Sequence, residues 1–250
     1  MPSISRVPHA RFAHFPKPLH GWRAFAGEVG TIVLGVLIAL GADEVVQTLH
    51  QRAEARDAEA EIRGELQVNM ARMRSRWNTR TCVANRIAEL QALIDSVEGP
   101  SGAIKQPSWI GRPQFWTMQM ARWQASSQAG RAALVPASNL ALYATMYTYM
   151  TNVNEEMAKE QDDWAKLRSL EHLRRLTPEM AFELTGDLQE ARYINWRMNV
   201  WIRLLQSLSD QLRLEVVPNN IPQSRSACVA MKTPRQQAVR ESNSAYGDEP

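Results

Sequence analysis

Apolar positions recur every three or four residues along most of this 250-residue chain, and in one place they fuse into an unbroken run. That run, Val29 to Ala42, carries no charge and lies between Glu28 and Asp43–Glu44. By itself it makes about 21 Å of helix, short of a hydrocarbon core roughly 30 Å thick. Extended over Phe25–Val46, with its acids at the interfaces, it reaches about 33 Å. The pattern therefore predicts a transmembrane helix over residues 22–46.

Beyond it the hydrophobic positions thin into stripes. Ile62, Leu66, Met70, Met73 and Trp77 are spaced by three or four, as are Val83, Ile87, Leu90, Ile94 and Val97. Each set marks one face of a helix directed at a core. His50–Leu66 is rich in Ala, Glu and Arg and poor in β-branched residues, so the membrane helix is expected to continue through it, with a kink near Asn78–Thr81. Gly99–Pro100 is the expected stop, and Pro100–Pro113 reads as a loop.

A shorter helix is expected over Gln114–Arg131, with Phe115, Trp116, Met118, Met120 and Trp123 as its apolar contacts. A long helix opening at Pro136 carries Leu140, Tyr143, Tyr147, Met150, Met157, Trp164, Leu167 and Leu170, its stripe interrupted by Asn154 and Gln161. Thr177–Pro178–Glu179 combines a capping hydroxyl, a first-turn proline and a first-turn acid, which together start a helix. The stripe from Leu184 to Leu212 then averages about 3.5 residues per step, the heptad spacing of coiled coils. Val216–Val217–Pro218 should end it. No stretch alternates beside a hairpin signal, so no sheet is expected.

The resulting fold is all-α: one N-terminal transmembrane helix continuing into an antiparallel helical bundle. Residues 1–21, with four prolines and little apolar content, read as a disordered cytoplasmic leader. Residues 22–46 are the span, 47–217 an extracytoplasmic helical bundle, and 218–250 a mostly disordered tail.

Charge adds direction. Arg6, Arg11, Lys17 and Arg23 precede the span, and Asp43 and Glu44 follow it. The positive-inside bias places the N-terminus in the cytoplasm and the rest outside, in a bacterial cell the periplasm. Trp22 and Phe25 stand where an aromatic interface anchor belongs. The net charge of +3 comes from the leader, and the remainder is close to neutral, which excludes nucleic acid as a partner. A cleaved signal peptide with an apolar core at Val29–Leu40 and a cut near Ala42 is the rival reading. The long segment before the core, Glu28 against it and the unbroken helical pattern after it argue for a retained anchor. A buried core helix of a soluble protein is the third reading of so short a run. Glu28 is expected at the cytoplasmic interface rather than on an ion path.

The order Phe-x-Gly-Glu-Val-x-x-x-Val-x-Gly-Val-Leu-Ile-Ala-Leu over Phe25–Leu40 resembles the start of an uncharacterised bacterial family of single-span membrane proteins. The likeness extends over Trp22–Asn69, with a weaker echo at Trp123–Pro136. The resemblance implies an N-terminal anchor and a helical extracytoplasmic region, with no assigned activity and no catalytic residue.

The chain lacks the motifs of nucleophilic, zinc-dependent, phosphate-binding and dinucleotide-binding enzymes. His9, His14 and His20 are irregularly spaced in the leader. His50 and His172 lack the Glu three residues ahead that a di-metal bundle uses. No metal or cofactor is expected. Glu155, Glu156, Glu160, Asp162 and Asp163 read as a solvated acidic helix face, and Arg72, Arg74, Arg76 and Arg80 as a solvated basic one. Most of the eight tryptophans fall on apolar stripes and read as core. Cys82 and Cys228 are the only cysteines, both beyond the span, and are expected to pair as a disulfide in an oxidising compartment. Gly27, Thr31, Gly35 and Ala39 recur every four residues and would let a second transmembrane helix approach closely, giving a homo-oligomer.

The functional expectation is a non-catalytic, membrane-anchored periplasmic scaffold or binding protein of the inner membrane. Its partners would be the lipid bilayer, a second copy of itself and an unknown envelope protein. A membrane-tethered small-molecule sensing domain acting through a partner is the alternative.

Overall fold

The computed structural model describes residues 21–97, 102–215 and 224–242, and among these it is all-α. Among the described residues the only β-type pairing is an isolated antiparallel bridge between Ala103 and Arg175. The helices are α1 (Trp22–Asn78), α2 (Arg80–Asp95), α3 (Ala121–Gln128), α4 (Ala137–Leu167), α5 (Pro178–Gln211) and α6 (Arg235–Glu241). Short 3-10 turns occupy Arg131–Leu134, Arg168–Glu171 and Ser226–Cys228. The chain divides into two compact units, Met1–Arg52 and Ala53–Pro250.

The described part of the first unit is helix. Its large apolar side chains, from Trp22 and Phe25 through Leu49, all face solvent. Among the described residues one helix, near the N-terminus, is long and apolar enough to cross a membrane. The expected leader, apart from Gly21, lies outside the described residues, as do the stop at Gly99–Pro100 and Val216–Val217–Pro218.

The second unit is built on α1 from Ala53 onward, α2, α4 and α5. The stripe Ile62, Leu66, Met70 and Met73 is buried against Tyr143, Met146, Met150 and Val153 of α4 and Ile194, Met198, Ile202 and Leu205 of α5. The stripe Val83, Ile87, Leu90 and Ile94 packs with Trp164, Leu167, Leu184, Leu188 and Ala191 in a second cluster. The expected kink is a break at Thr79, where α1 ends and α2 begins. Thr177 starts α5 as its sequence requires: its side chain accepts a hydrogen bond from the Met180 amide at 3.3 Å.

Helix directions follow from side-chain pairs. Along α1, Glu59, Glu65 and Arg76 meet Tyr143, Tyr147 and Glu160 of α4 in ascending order, so α1 and α4 run parallel. Glu156–Arg197 and Lys166–Asp187 pair in opposite order, so α5 runs antiparallel to α4. Arg63 donates to the carbonyls of Leu212 and Arg213, both at 3.0 Å, placing the end of α5 beside the start of this unit and a cation on its last carbonyls. The antiparallel arrangement thus describes α5 against both neighbours. The parallel α1–α4 pair requires the intervening residues to travel back along the bundle.

That return segment corrects the helix expected over Gln114–Arg131. Residues 102–120 are not helical, and α3 occupies only Ala121–Gln128. Side chains from the long helices satisfy the segment's backbone. Asn69 accepts from the Gln119 amide at 2.8 Å and donates to its carbonyl at 2.7 Å. Asn154 does the same for Met118, at 2.7 and 3.4 Å. Gln161, the other interruption of the α4 stripe, accepts from Arg112 at 3.1 Å. Glu65 then receives the Arg122 and Trp123 amides at 2.8 and 3.3 Å, capping α3 with a carboxylate supplied by α1. Phe115 is exposed rather than a core contact.

The tail is the second correction. Within the stretch expected to be mostly disordered, residues 224–242 are folded, with α6 and a 3-10 turn. Trp109, Val229 and Ala238 form a small buried cluster, and Met231 accepts the Ser108 and Trp109 amides at 2.9 and 3.0 Å. Buried Arg86 donates to the carbonyls of Ile110 and Val229. Gly111, at φ 67°, allows a close approach to the tail: a Cβ there would stand 2.4 Å from the Ser226 carbonyl oxygen. Long-range partners, not local propensity, order this segment.

Candidate functional site

Between the two apolar clusters lies a polar layer to which α1, α4 and α5 each contribute. Arg76 on α1 is 2 % exposed and Glu160 on α4 is fully buried, and Nη2 meets Oε1 at 2.5 Å. The same Nη2 reaches Asn195 Oδ1 of α5 at 3.4 Å. Arg76 Nη1, Glu160 Oε2, Asp163 Oδ2 and Trp164 Nε1 are buried with no hydrogen-bond partner in the protein. Burial pushes the Glu160 carboxyl above its ordinary value, a shift that the Arg76 guanidinium partly offsets.

This layer overturns the solvated reading of both charge clusters. Glu155 and Asp162 do face solvent, but Glu156, Glu160 and Asp163 are buried. They follow one another at i, i+4 and i+7, the spacing of a single inward face. Glu156 pairs with Arg197 at 2.9 Å, and Lys166 lies 2.7 Å from Asp187 and 3.8 Å from Asp163. Of the arginines, Arg74 is exposed, Arg72 and Arg80 are half-buried, and Arg76 is interior. Arg80 lies over the Trp77 ring, 4.2 Å from its centroid. A second group of acids, near the start of the unit, also works inward. Glu59 accepts the Tyr143 hydroxyl at 2.8 Å and Glu65 the Tyr147 hydroxyl at 2.7 Å. Burial, opposed by the hydrogen bond from Arg63 and reinforced by Glu59, pushes the Tyr143 phenol up to about 12.

Cys82 and Cys228 are brought together, with sulfurs 2.14 Å apart and Cα atoms 4.8 Å apart. The bond joins α2 to the 3-10 turn at the head of the folded tail. Gly27, Thr31, Gly35 and Ala39 share one exposed face of α1, where Thr31 Oγ1 donates to the Gly27 carbonyl at 2.9 Å. Nothing lies within 4 Å of where a Cβ would stand at Gly27 or Gly35. Tryptophan burial is uneven: Trp109 and Trp164 are interior, Trp77, Trp116, Trp123 and Trp201 are half-buried, and Trp22 and Trp196 are exposed. Among the described residues no three His, Cys, Asp or Glu side chains gather in a way that could hold a metal ion.

A cleft that sequence reasoning did not single out lies on the α1–α5 side of the first cluster. It encloses about 230 Å³ between Met70, Met73, Arg74, Trp77 and Asn78 of α1 and Ile202, Gln206, Ser209 and Asp210 of α5. Its floor is apolar and its rim carries Arg74 and Asp210. It abuts a more open shelf formed by Arg203, Gln206, Ser207, Asp210 and Gln211. The signal for it was indirect: Ile202 falls on the buried face of α5 although the heptad reading passed through Trp201.

Against known protein families, curated proteins and solved structures, the chain has no match.

Proposed function

We propose that this chain is a single-span inner-membrane protein whose periplasmic helical unit scaffolds or binds and does not catalyse. The observation that carries the reading is the Cys82–Cys228 pair, since a bond closing a separation of 146 residues persists in an oxidising compartment. The basic residues before the apolar helix and the acids after it support the same side for both cysteines. The likeness of Phe25–Leu40 to a family of single-span bacterial proteins agrees with it. The unit's buried charges sit in structural pairs rather than around an open reaction site.

Topology is tested directly. A periplasm-dependent reporter fused after Pro250 should be active and the same reporter fused at Gly21 silent, with full-length mass retained in the membrane pellet after an alkaline wash. A soluble product beginning near Asp43 would replace the anchor with a signal peptide. Self-association through Gly27, Thr31, Gly35 and Ala39 has its own measurement. In a transmembrane association assay Gly35→Ile should abolish the signal of the wild-type segment. A wild-type segment scoring no higher than the variant rules the seam out as an interface.

The cleft favours a second reading, a small-molecule sensing unit acting through a partner protein. Native mass spectrometry of the purified chain should then show a retained small molecule, and its absence after purification in excess ligand pool would favour the scaffold.

A further inference from the structure

The cleft between α1 and α5 has a chemistry specific enough to name its ligand class. Its floor is made by Met70, Met73 and Ile202, all nearly or fully buried, and Trp77 adds a half-buried wall. Thioether side chains adapt to varied apolar shapes, and an indole offers a broad flat face. On the rim stand one cation, Arg74, and one anion, Asp210, both exposed.

These two charges do not pair with each other. Neither side chain makes an ion pair or hydrogen bond with any described residue, although most acids and bases on the inward-facing parts of α1, α4 and α5 do. Two opposite charges that line one cleft without pairing, beside an apolar floor, complement a molecule that carries both signs and an apolar body. The volume sets the scale: about 230 Å³ falls below the usual range of drug-sized pockets, roughly 300–1,000 Å³.

We infer that the cleft binds a free α-amino acid with an aliphatic or aromatic side chain, its carboxylate on Arg74, its ammonium on Asp210 and its side chain against Met70, Met73, Trp77 and Ile202. Arginine presents a planar fork that donates to both oxygens of a carboxylate, which fixes the head group's orientation. Asn78 and Gln206 on the same rim supply further donors and acceptors. The inference rests on the sensing reading above and adds the ligand class to it.

Titration calorimetry on the full chain in detergent, with L-leucine and L-phenylalanine as probes, tests it. Both should bind saturably. Arg74→Gln and Asp210→Asn should each weaken L-leucine at least tenfold while leaving thermal unfolding unchanged, because both residues are exposed and unpaired. N-acetyl-L-leucine, which lacks the ammonium, should bind wild type at least tenfold more weakly than L-leucine, and that difference should vanish in Asp210→Asn. L-leucinamide, lacking the carboxylate, should show the same relation to Arg74→Gln. No heat of binding from either amino acid up to millimolar concentration overturns the inference, as does binding unaffected by both variants. If native mass spectrometry shows a retained molecule of another class while both amino acids fail, this inference falls and the sensing reading stands.

Discussion

Replacing Cys82 with Ala is expected to lower the unfolding free energy of the second unit by about 4–5 kcal/mol. The bond spans 146 residues, and on the chain-entropy account a loop of that length removes roughly this much freedom from the unfolded chain. The figure is the upper end, because the tail keeps other attachments when the bond is absent. Arg86 still donates to Ile110 and Val229, and Arg235 still pairs with Glu171 at 3.1 Å. Those contacts predict a particular order of failure. Under limited proteolysis the variant should lose residues 224–242 first, while the clusters around Met150 and Leu188 stay protected. Urea unfolding of wild type and Cys82→Ala, with and without reductant, measures the energy. A reductant that leaves the wild-type midpoint unmoved would mean that the bond contributes nothing.

The polar layer yields the second large effect. Arg76→Met leaves Glu160 buried without its cation, and removal of one member of a buried pair costs about 3–5 kcal/mol. The loss should depend on pH with a definite sign. Glu160 already holds its proton above the ordinary carboxylate value, and losing Arg76 raises that value further. The folded variant then binds the proton more tightly than the unfolded chain does. Its stability is fullest in acid, below the unfolded carboxylate's value, and falls as pH rises through the raised one. The deficit relative to wild type should therefore be largest at neutral pH and shrink on acidification. Arg76→Met combined with Glu160→Leu should recover most of the loss, since an apolar pair of similar volume removes both desolvation costs. Equal deficits for the single and double variants at neutral pH would show that packing, not charge, governs the site.

What was legible in the sequence was whatever is decided within a few turns of helix. The Thr177 cap and the α5 stripe from Leu184 to Met198 depend on neighbours three and four residues away and appear where the spacing put them, whereas beyond Met198 the buried face takes Ile202 and Ser209 in place of Trp201 and Leu208. The same spacing also misled. Glu156, Glu160 and Asp163 keep the inward period as faithfully as Met150 or Met157, but their chemistry suggested water, and the partner that changes the answer, Arg76, lies 84 residues from Glu160. The segment before α3 carries a usable signal. Trp116, Met118 and Met120 alternate with Phe115, Thr117 and Gln119, and the burial follows that period of two. Its extended form is nonetheless not a strand. Its backbone partners are the amides of Asn69 and Asn154, 50 and 36 residues away, and no local pattern announces them. The tail is likewise ordered by distant partners, Trp109 and Arg86 among them.

The parallel run of α1 and α4 has a consequence for the order of assembly. Lys166 and Asp187, which join α4 to α5, are 21 residues apart, whereas Arg76 and Glu160, which join α1 to α4, are 84 apart. Two doublings of loop length cost about 1.2 kcal/mol more in closure entropy. The α4–α5 hairpin is thus the natural nucleus, and α1 must wait for it with Ile62, Leu66, Met70 and Met73 uncovered. During synthesis α1 emerges before α4 and α5 yet is the last of the three to find its seat, and for that interval its apolar stripe is the part of this unit most in need of a chaperone.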